Sequence, residues 1–357
     1  MNILINKKYI LIEKESKKLK KVFVLFASIL LLMGCGRKSN IDVAKEFTNK
    51  LDKVKSYKIA GNLEIQNDEE IFKYSINVNY LEKNYYMVEM TNTSNEHKQI
   101  ILRNDEGLYV ITPSLNKSFK FESSWPDNSS QSYILSSIVN DLNKDSEKEI
   151  QKIDEGYIIK TKVNYPNNEE LKYQKLYLTK SFDLSRVEVY NDNDIVKIKV
   201  ELNDIDLKAG LDKKIFNLDN YIKDECTDCD KNSENDKKTM SNVNSAIYPL
   251  YMPSNTYLKD SEVISTEDNS RVILTYSGEK NFVLVEEGAV INSSHEIIPV
   301  YGEPIMLNDT IAALSTNSMY WTSNDVDYYM VSDDLSISEM VFIATSLNNS
   351  KKVSSMK

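Results

Sequence analysis

From Tyr57 onward apolar and polar residues alternate with a period of two. Tyr57, Ile59, Leu63 and Ile65 stand between Lys58, Asn62, Glu64 and Gln66, and Phe72, Tyr74, Ile76, Val78 and Tyr80 repeat the pattern. Successive side chains of a strand point to opposite faces, so the alternation predicts antiparallel strands with one buried and one wet face. Further strand-like runs fall at residues 84–91, 98–104, 107–112, 117–122, 157–164, 171–179, 184–190 and 195–202. The last two flank Asn191, Asp192, Asn193 and Asp194, a turn-forming tetrapeptide that predicts a hairpin. Two helical patterns interrupt the strands. Val43, Ala44, Phe47, Leu51 and Val54 follow Ser39 and Asp42 at capping-box spacing, and Ile134, Ile138 and Leu142 form a stripe within residues 130–142. About ten meandering strands exceed what a small closed barrel filled by its own side chains accommodates. The expected fold is mainly β, of the α+β class: an antiparallel curved half-barrel with a helical lid, spanning residues 41–223. Such a sheet encloses more apolar surface than two short helices cover, so a cavity or groove is expected.

Composition then shifts. Residues 224–244 are acidic and nearly devoid of large apolar side chains, which reads as a linker carrying Cys226 and Cys229 as a C-x-x-C. Strand patterns return at 271–276, 281–287, 319–322 and 326–331. They belong to a smaller β-rich domain over 245–348 that ends in a helix, begun by Ser336 and Glu339 at capping-box spacing and burying Met340, Ile343, Ala344 and Leu347. Residues 349–357 form a polar tail.

The first 34 residues read as a lipoprotein signal peptide. Lys17, Lys18, Lys20 and Lys21 precede an apolar run over 22–33 that ends at Leu32, Met33, Gly34 and Cys35. Twelve residues fall short of the roughly 20 a membrane-spanning helix needs. Basic flank, short apolar core and a small residue before the cut instead mark an exported chain. The four final residues resemble the lipobox of bacterial lipoproteins, which implies diacylglycerol or palmitate on the Cys35 thiol and cleavage after Gly34. An ordinary signal peptide or a short anchor with an incidental cysteine are the alternatives. Residues 35–40 would tether the folded part to the outer face of a Gram-positive cytoplasmic membrane.

Charge narrows the partners. The leader holds seven Lys and two Glu, leaving 37 basic against 52 acidic residues in the rest of the chain. Such an acidic balance disfavours nucleic acid, whose binding rests on counterion release by basic patches. No cofactor fingerprint, P-loop, G-x-S-x-G or H-E-x-x-H occurs. His97 and His295, the two histidines, stand apart from each other, from any cysteine and from any evident serine nucleophile, so both read as surface or edge residues. Asp192 and Asp194 lack the later Gly and Glu of a calcium loop, and no metal site is expected. Cys226 and Cys229, among acidic neighbours that raise a thiol pKa, suit a disulfide, with a metal clip or a redox pair as alternatives. Trp125 lies before Pro126 where a lid would hinge. It and Tyr133 read either as core or as ligand or partner contacts, and Phe119 and Phe121, on one strand face, as core or cavity lining.

Residues 104–121, NDEGLYVITPSLNKSFKF, with Ser124-Trp125-Pro126 and Tyr133-Ile134-Leu135, are similar to the Firmicute relatives of the lipoprotein carrier LolA. They are closer still to clostridial lipoproteins that include the germination lipoprotein GerS. This resemblance covers about residues 40–222 and implies the same open half-barrel. Trp321-Thr322-Ser323-Asn324, Tyr328-Tyr329-Met330-Val331 and residues 335–347 resemble a small domain that ends several exported Firmicute regulators, a two-domain plan similar to RseB. The resemblance implies a non-enzymatic binding module at the cell envelope, in sporulation or germination. Its expected partner is an acyl ligand or an envelope protein such as a cell-wall or spore-cortex hydrolase. The alternative is an RseB-like envelope-stress sensor acting on a membrane anti-sigma factor or another transcriptional regulator, with thiol exchange by the C-x-x-C a weaker third.

Overall fold

In a computed structural model the described residues are 40–67, 70–222, 238–239, 243, 245–265, 270–291 and 294–355. Helix α1 (Asn40–Leu51) leads into strands β1 (Ser56–Asn67), β2 (Glu70–Leu81), β3 (Tyr85–Asn92), β4 (Lys98–Asn104), β5 (Gly107–Thr112) and β6 (Lys117–Phe121). Helix α2 (Leu135–Lys144) precedes β7 (Glu149–Ile153), β8 (Gly156–Lys162), β9 (Leu171–Thr179), β10 (Leu184–Asn191) and β11 (Val196–Asp206). The remainder runs through β12 (Lys238–Thr239), β13 (Thr256–Ser265), β14 (Ser270–Gly278), β15 (Phe282–Gly288), β16 (Val290–Ile291), β17 (Glu296–Val300), β18 (Gly302–Met306), β19 (Ile311–Ser315), β20 (Ser318–Ser323) and β21 (Val326–Val331) to helix α3 (Ile337–Ser355). The described residues from Ala44 onward form one compact unit.

The expected open, mainly antiparallel half-barrel sheet is present. Its order is β17-β6-β5-β4-β3-β2-β1-β11-β10-β9-β8-β7, so the two halves of a long meander meet where β1 pairs with β11. The period-two pattern sets the register, because directly opposite residues share a face. Phe119, Val110, Ile101, Val88, Val78 and Ile59 lie opposite one another across neighbouring strands, as do Tyr74, Leu63, Val200, Val187, Leu176 and Ile159. Gly61 sits at a bulge in the β1 to β11 pairing, where a Cβ would come within 2.3 Å of the Glu201 carbonyl oxygen. Bulges bend and twist a strand pair, which curves the sheet there. On the opposite face, β3 to β5 are covered by Phe216 and Leu218 of the 213–220 segment, packed on Tyr85, Ile100, Leu102, Tyr109 and Ile111. The hairpin expected at 191–194 forms, with Asn191 Oδ1 accepting from the Asn193 and Ile195 amides at 3.1 and 2.9 Å.

A second, seven-stranded sheet runs β13-β14-β15-β21-β20-β19-β18 and carries α3 on one face. Met340, Ile343, Ala344 and Leu347 join Val272, Leu274, Trp321, Tyr328 and Met330 in its core. The capping box is made: Ser336 N and Oγ both donate to Glu339 Oε2 at 2.8 Å. Strands β17 to β19 depart from the sequence expectation, and their placement explains why. β17 and β18 contain Pro299 and Pro304, which sheets tolerate at edges, and each ends its sheet. β17 pairs in parallel with β6, so residues far along the chain complete the first sheet. β19 opens on four consecutive buried apolar residues, Ile311 to Leu314, without alternation, since both of its faces are buried there.

Three buried polar contacts tie the sheets together. Lys117 Nζ donates to Asp327 Oδ2 at 2.8 Å and to the Tyr320 hydroxyl at 3.0 Å. Gln99 Oε1 accepts from the Ile311 amide at 2.6 Å and the Thr310 hydroxyl at 3.2 Å. Tyr74 donates to the Asn308 carbonyl at 2.5 Å.

Helix α2 starts later than the stripe over 130–142 suggested, because Ser130 is used as a polar anchor instead. Its Oγ donates to Asp141 Oδ1 and accepts from the Asn164 amide, while Gln174 Nε2 donates to Asp141 Oδ2 at 2.9 Å. Burial pushes the Asp141 carboxyl up to about 6 from 3.8, although both hydrogen bonds favour its charged form. A folded carboxyl that holds its proton more tightly than the unfolded one contributes best when both states are protonated. Its contribution falls as pH rises from about 4 to about 6, by about 3 kcal/mol. Asp141→Asn removes that slope. The variant is expected to match or exceed the parent's stability near neutral pH and to show a flatter profile between about pH 4 and about pH 6 in urea unfolding. Gln174 can turn its amide to accept from the new carboxamide, since its Oε1 is without a partner.

Candidate functional site

The concave face of the first sheet does not end in a wide trough. Ile134, Leu135, Ile138 and Leu142 around α2, and Phe47 of α1, are buried. What remains is a cavity of about 180 Å³ between the first sheet and the second. The first sheet gives Ile65, Ile101, Leu171 and Ile198, and the loops beside it give Trp125, Ser129, Gln131, Tyr133 and Tyr165. From the C-terminal half come Ile305, Met306, Leu307, Asn308 and Ile311, with Val341, Phe342 and Thr345 of α3. Pro166, Asn167, Asn168 and Glu170 also line it, and Phe342 is an exposed apolar member of its wall.

The wall is largely apolar with a few fixed polar groups, the usual make-up of a site for an apolar group that must be oriented. Burial pushes the Tyr133 and Tyr165 hydroxyls well above the usual phenol range, so both remain proton donors at any physiological pH. The Asn308 carbonyl already accepts from Tyr74, and the Thr345 hydroxyl bonds within its own helix to the Val341 carbonyl at 2.9 Å. The cavity therefore offers shape and phenol donors rather than acid–base chemistry. Its size is informative: a dry cavity of about 150 Å³ takes a benzene-sized solute, whereas pockets for larger ligands run from about 300 Å³ upward.

The sequence-predicted contact residues divide. Trp125 and Tyr133 line the cavity together, with Trp125 buried, its ring edge-on to Tyr86 at 5.8 Å and its amide held by Ser123 Oγ at 2.9 Å. Phe119 packs against Tyr320 with ring centroids 5.0 Å apart, at the junction beside Lys117, and Phe121 is buried. Neither phenylalanine is among the cavity walls. Leu32, Met33, Gly34, Cys35, Cys226 and Cys229 lie outside the described residues. The histidines are less exposed than their flanks suggested. His295 Nε2 lies 2.9 Å from Ser118 Oγ, a serine 177 residues earlier in the chain, and Ser118 is fully buried on β6, where it pairs with Ile297 of β17. The sequence offered no evident serine partner for either histidine; the fold supplies Ser118, whose buried hydroxyl offers no substrate access. Burial lowers both His97 and His295 below the usual imidazole range, so each is neutral at pH 7. Among the described residues no group of three or more His, Cys, Asp or Glu is arranged to hold a metal ion.

Sequence reasoning missed the cavity's second wall. Nothing near Ile305, Leu307 or Ile311 marks a site, because these residues reach it only through the junction between the two sheets.

A family model described as sporulation protein YdcC-like matches residues 17–216. The sporulation protein YdcC of Bacillus subtilis (strain 168) is 35% identical over 340 residues, covering 93% of this chain and 98% of its own length. The chain belongs to the YdcC-like family of sporulation proteins. Among solved structures it is similar to a chain of the Pseudomonas aeruginosa MucA/MucB complex, at 12% identity and TM-score 0.30, over 85% of this chain and 97% of that one. It is also similar to the LolA superfamily protein NE2245 from Nitrosomonas europaea, at 15% identity and TM-score 0.30, over 50% and 98%. A third is a chain of the complex of the Clostridioides difficile CwlD amidase with the GerS lipoprotein, at 12% identity and TM-score 0.22, over 47% and 96%.

Proposed function

We propose that the chain is a non-enzymatic lipoprotein of the sporulating cell, anchored through Cys35 on the outer face of the cytoplasmic membrane, that binds an envelope partner protein. The observation that carries this reading is the cavity of about 180 Å³ walled by both sheets. It is apolar, bears Trp125, Tyr133 and Tyr165 as orienting groups, and is too small for a whole acyl chain but the right scale for one or two apolar side chains. The sporulation setting is supported by the 35% identity to the B. subtilis sporulation protein YdcC. Partner holding, rather than lipid carriage, is the role that a mostly filled half-barrel favours.

The test places a photo-crosslinking amino acid at Phe342 in sporulating cells. One envelope protein is expected to crosslink, and Thr345→Phe, which fills the cavity from a position whose hydroxyl bonds only within its helix, is expected to abolish the crosslink and the complementation of a deletion strain at unchanged protein level. Copurification of a long-chain acyl ligand in native mass spectrometry, with no crosslink, would replace the reading with lipid carriage. The anchor has its own check: Cys35→Ala is expected to lose incorporation of an alkyne-tagged fatty acid.

A further inference from the structure

Strand β13 ends the seven-stranded sheet and pairs with β14 alone among the described residues. Every residue of it after Thr256 is exposed. Four of these are large and apolar, Tyr257, Leu258, Val263 and Ile264, with between 39% and 63% of their surface in solvent. An open backbone edge flanked by apolar side chains is a template for an added strand.

The pairing with β14 sorts the side chains by face. Val263 stands opposite Val272 and Leu258 opposite Tyr276, and both of those partners are in the core, so Leu258, Ser261 and Val263 project on the core side of the sheet. Tyr257, Asp260, Glu262 and Ile264 stand on the other side. The register shift between Leu258 and Asp260 places Lys259 in a bulge. That extra residue is what lets Leu258 and Val263 share a face although they are an odd number of positions apart. A strand laid along this edge therefore meets apolar side chains at both ends, on both faces, with two carboxylates at the centre of one face.

We propose that the free edge of β13 docks an extended segment of a partner protein in which basic residues lie between apolar ones. The acidic centre selects the occupant by charge complementarity. A second copy of this chain fits less well: in the register that keeps both faces matched, Ser261 faces Ser261 of the second copy and Asp260 faces Glu262 of the second copy, twice over. Like charges directly opposite on paired strands are destabilising, and Lys259 is the sole base against two acids in each copy of the strand. This surface is separate from the cavity, so the two readings stand or fall independently.

The test uses residues 36–357 and two labelled synthetic peptides of alternating Val and Ile, one with Arg and one with Glu at its two central polar positions. The Arg peptide is expected to bind at least about tenfold more tightly in fluorescence anisotropy and to protect amides at 257–264 from hydrogen exchange. The Asp260→Lys, Glu262→Lys variant, altered only at exposed positions, is expected to reverse that preference. Equal binding of both peptides, or protection confined to other segments, overturns the proposal. So does a dimer in sedimentation that Val263→Lys abolishes, because it assigns the edge to a second copy.

Discussion

Lys117→Ala is expected to lower stability by about 3–5 kcal/mol, because it leaves Asp327 buried without its cation. Lys117 and Asp327 side chains are 6% and 14% exposed, so water cannot replace the lost partner. The Tyr320 hydroxyl and the Thr322 hydroxyl also converge on this pair. Truncation therefore disturbs a junction that Phe119, packed on Tyr320, depends on. Urea unfolding followed by tryptophan fluorescence checks the magnitude. A double variant, Lys117→Met with Asp327→Leu, separates the cost of an orphaned charge from the worth of the pair. It is expected to recover most of the loss, since well-packed apolar replacements of a buried ion pair are often neutral or better. A Lys117→Ala variant within about 0.5 kcal/mol of the parent would mean that the ion pair adds nothing measurable to the junction, which β17, apolar packing and the Gln99 and Tyr74 hydrogen bonds then hold.

Trp125→Ala is expected to cost about 3–5 kcal/mol, from lost burial together with the void it leaves. That void adjoins the existing cavity of about 180 Å³, so the variant acquires a continuous apolar space large enough for an aromatic solute. Added indole is expected to raise the melting temperature of Trp125→Ala by more than that of the parent, as mass action requires of a ligand that binds the folded variant more tightly. The experiment also separates the two sequence readings of this residue. If Trp125 serves packing alone, indole restores stability and partner crosslinking together. If its ring touches the partner, indole restores stability and leaves crosslinking weak.

The extent to which the fold was legible follows from where each signal resides. Alternation at Tyr57 to Ile65 and Phe72 to Tyr80 is local, and the strands formed in the register it demands, because a slip by one residue would turn Leu63, Ile76 and Val78 to solvent. The Ser336 and Glu339 cap is also local, and it formed. Strand β13 was missed for the opposite reason: with nearly every side chain exposed, no burial imposes a pattern on its sequence. β17 was missed because Ile297 and Ile298 acquire their role only by pairing with Ser118 and Phe119, across the length of the second half of the chain.

The candidate site divides along the same line. Trp125 and Tyr133 could be singled out because bulky aromatics in a loop between strand and helix are conspicuous wherever they fall. Ile305, Leu307 and Ile311 could not, since isolated aliphatic residues look alike in any core. The sequence alone determined the strand-dominated class and the faces of its helices, because each depends on residues within a few positions of one another. Tertiary structure alone decided that the C-terminal half of the chain lends strand β17 to the first sheet, that Lys117 meets Asp327, and that the remaining cavity is small and shared. Those are contacts between residues roughly two hundred positions apart, and a burial environment that two sheets create jointly is written in neither of them.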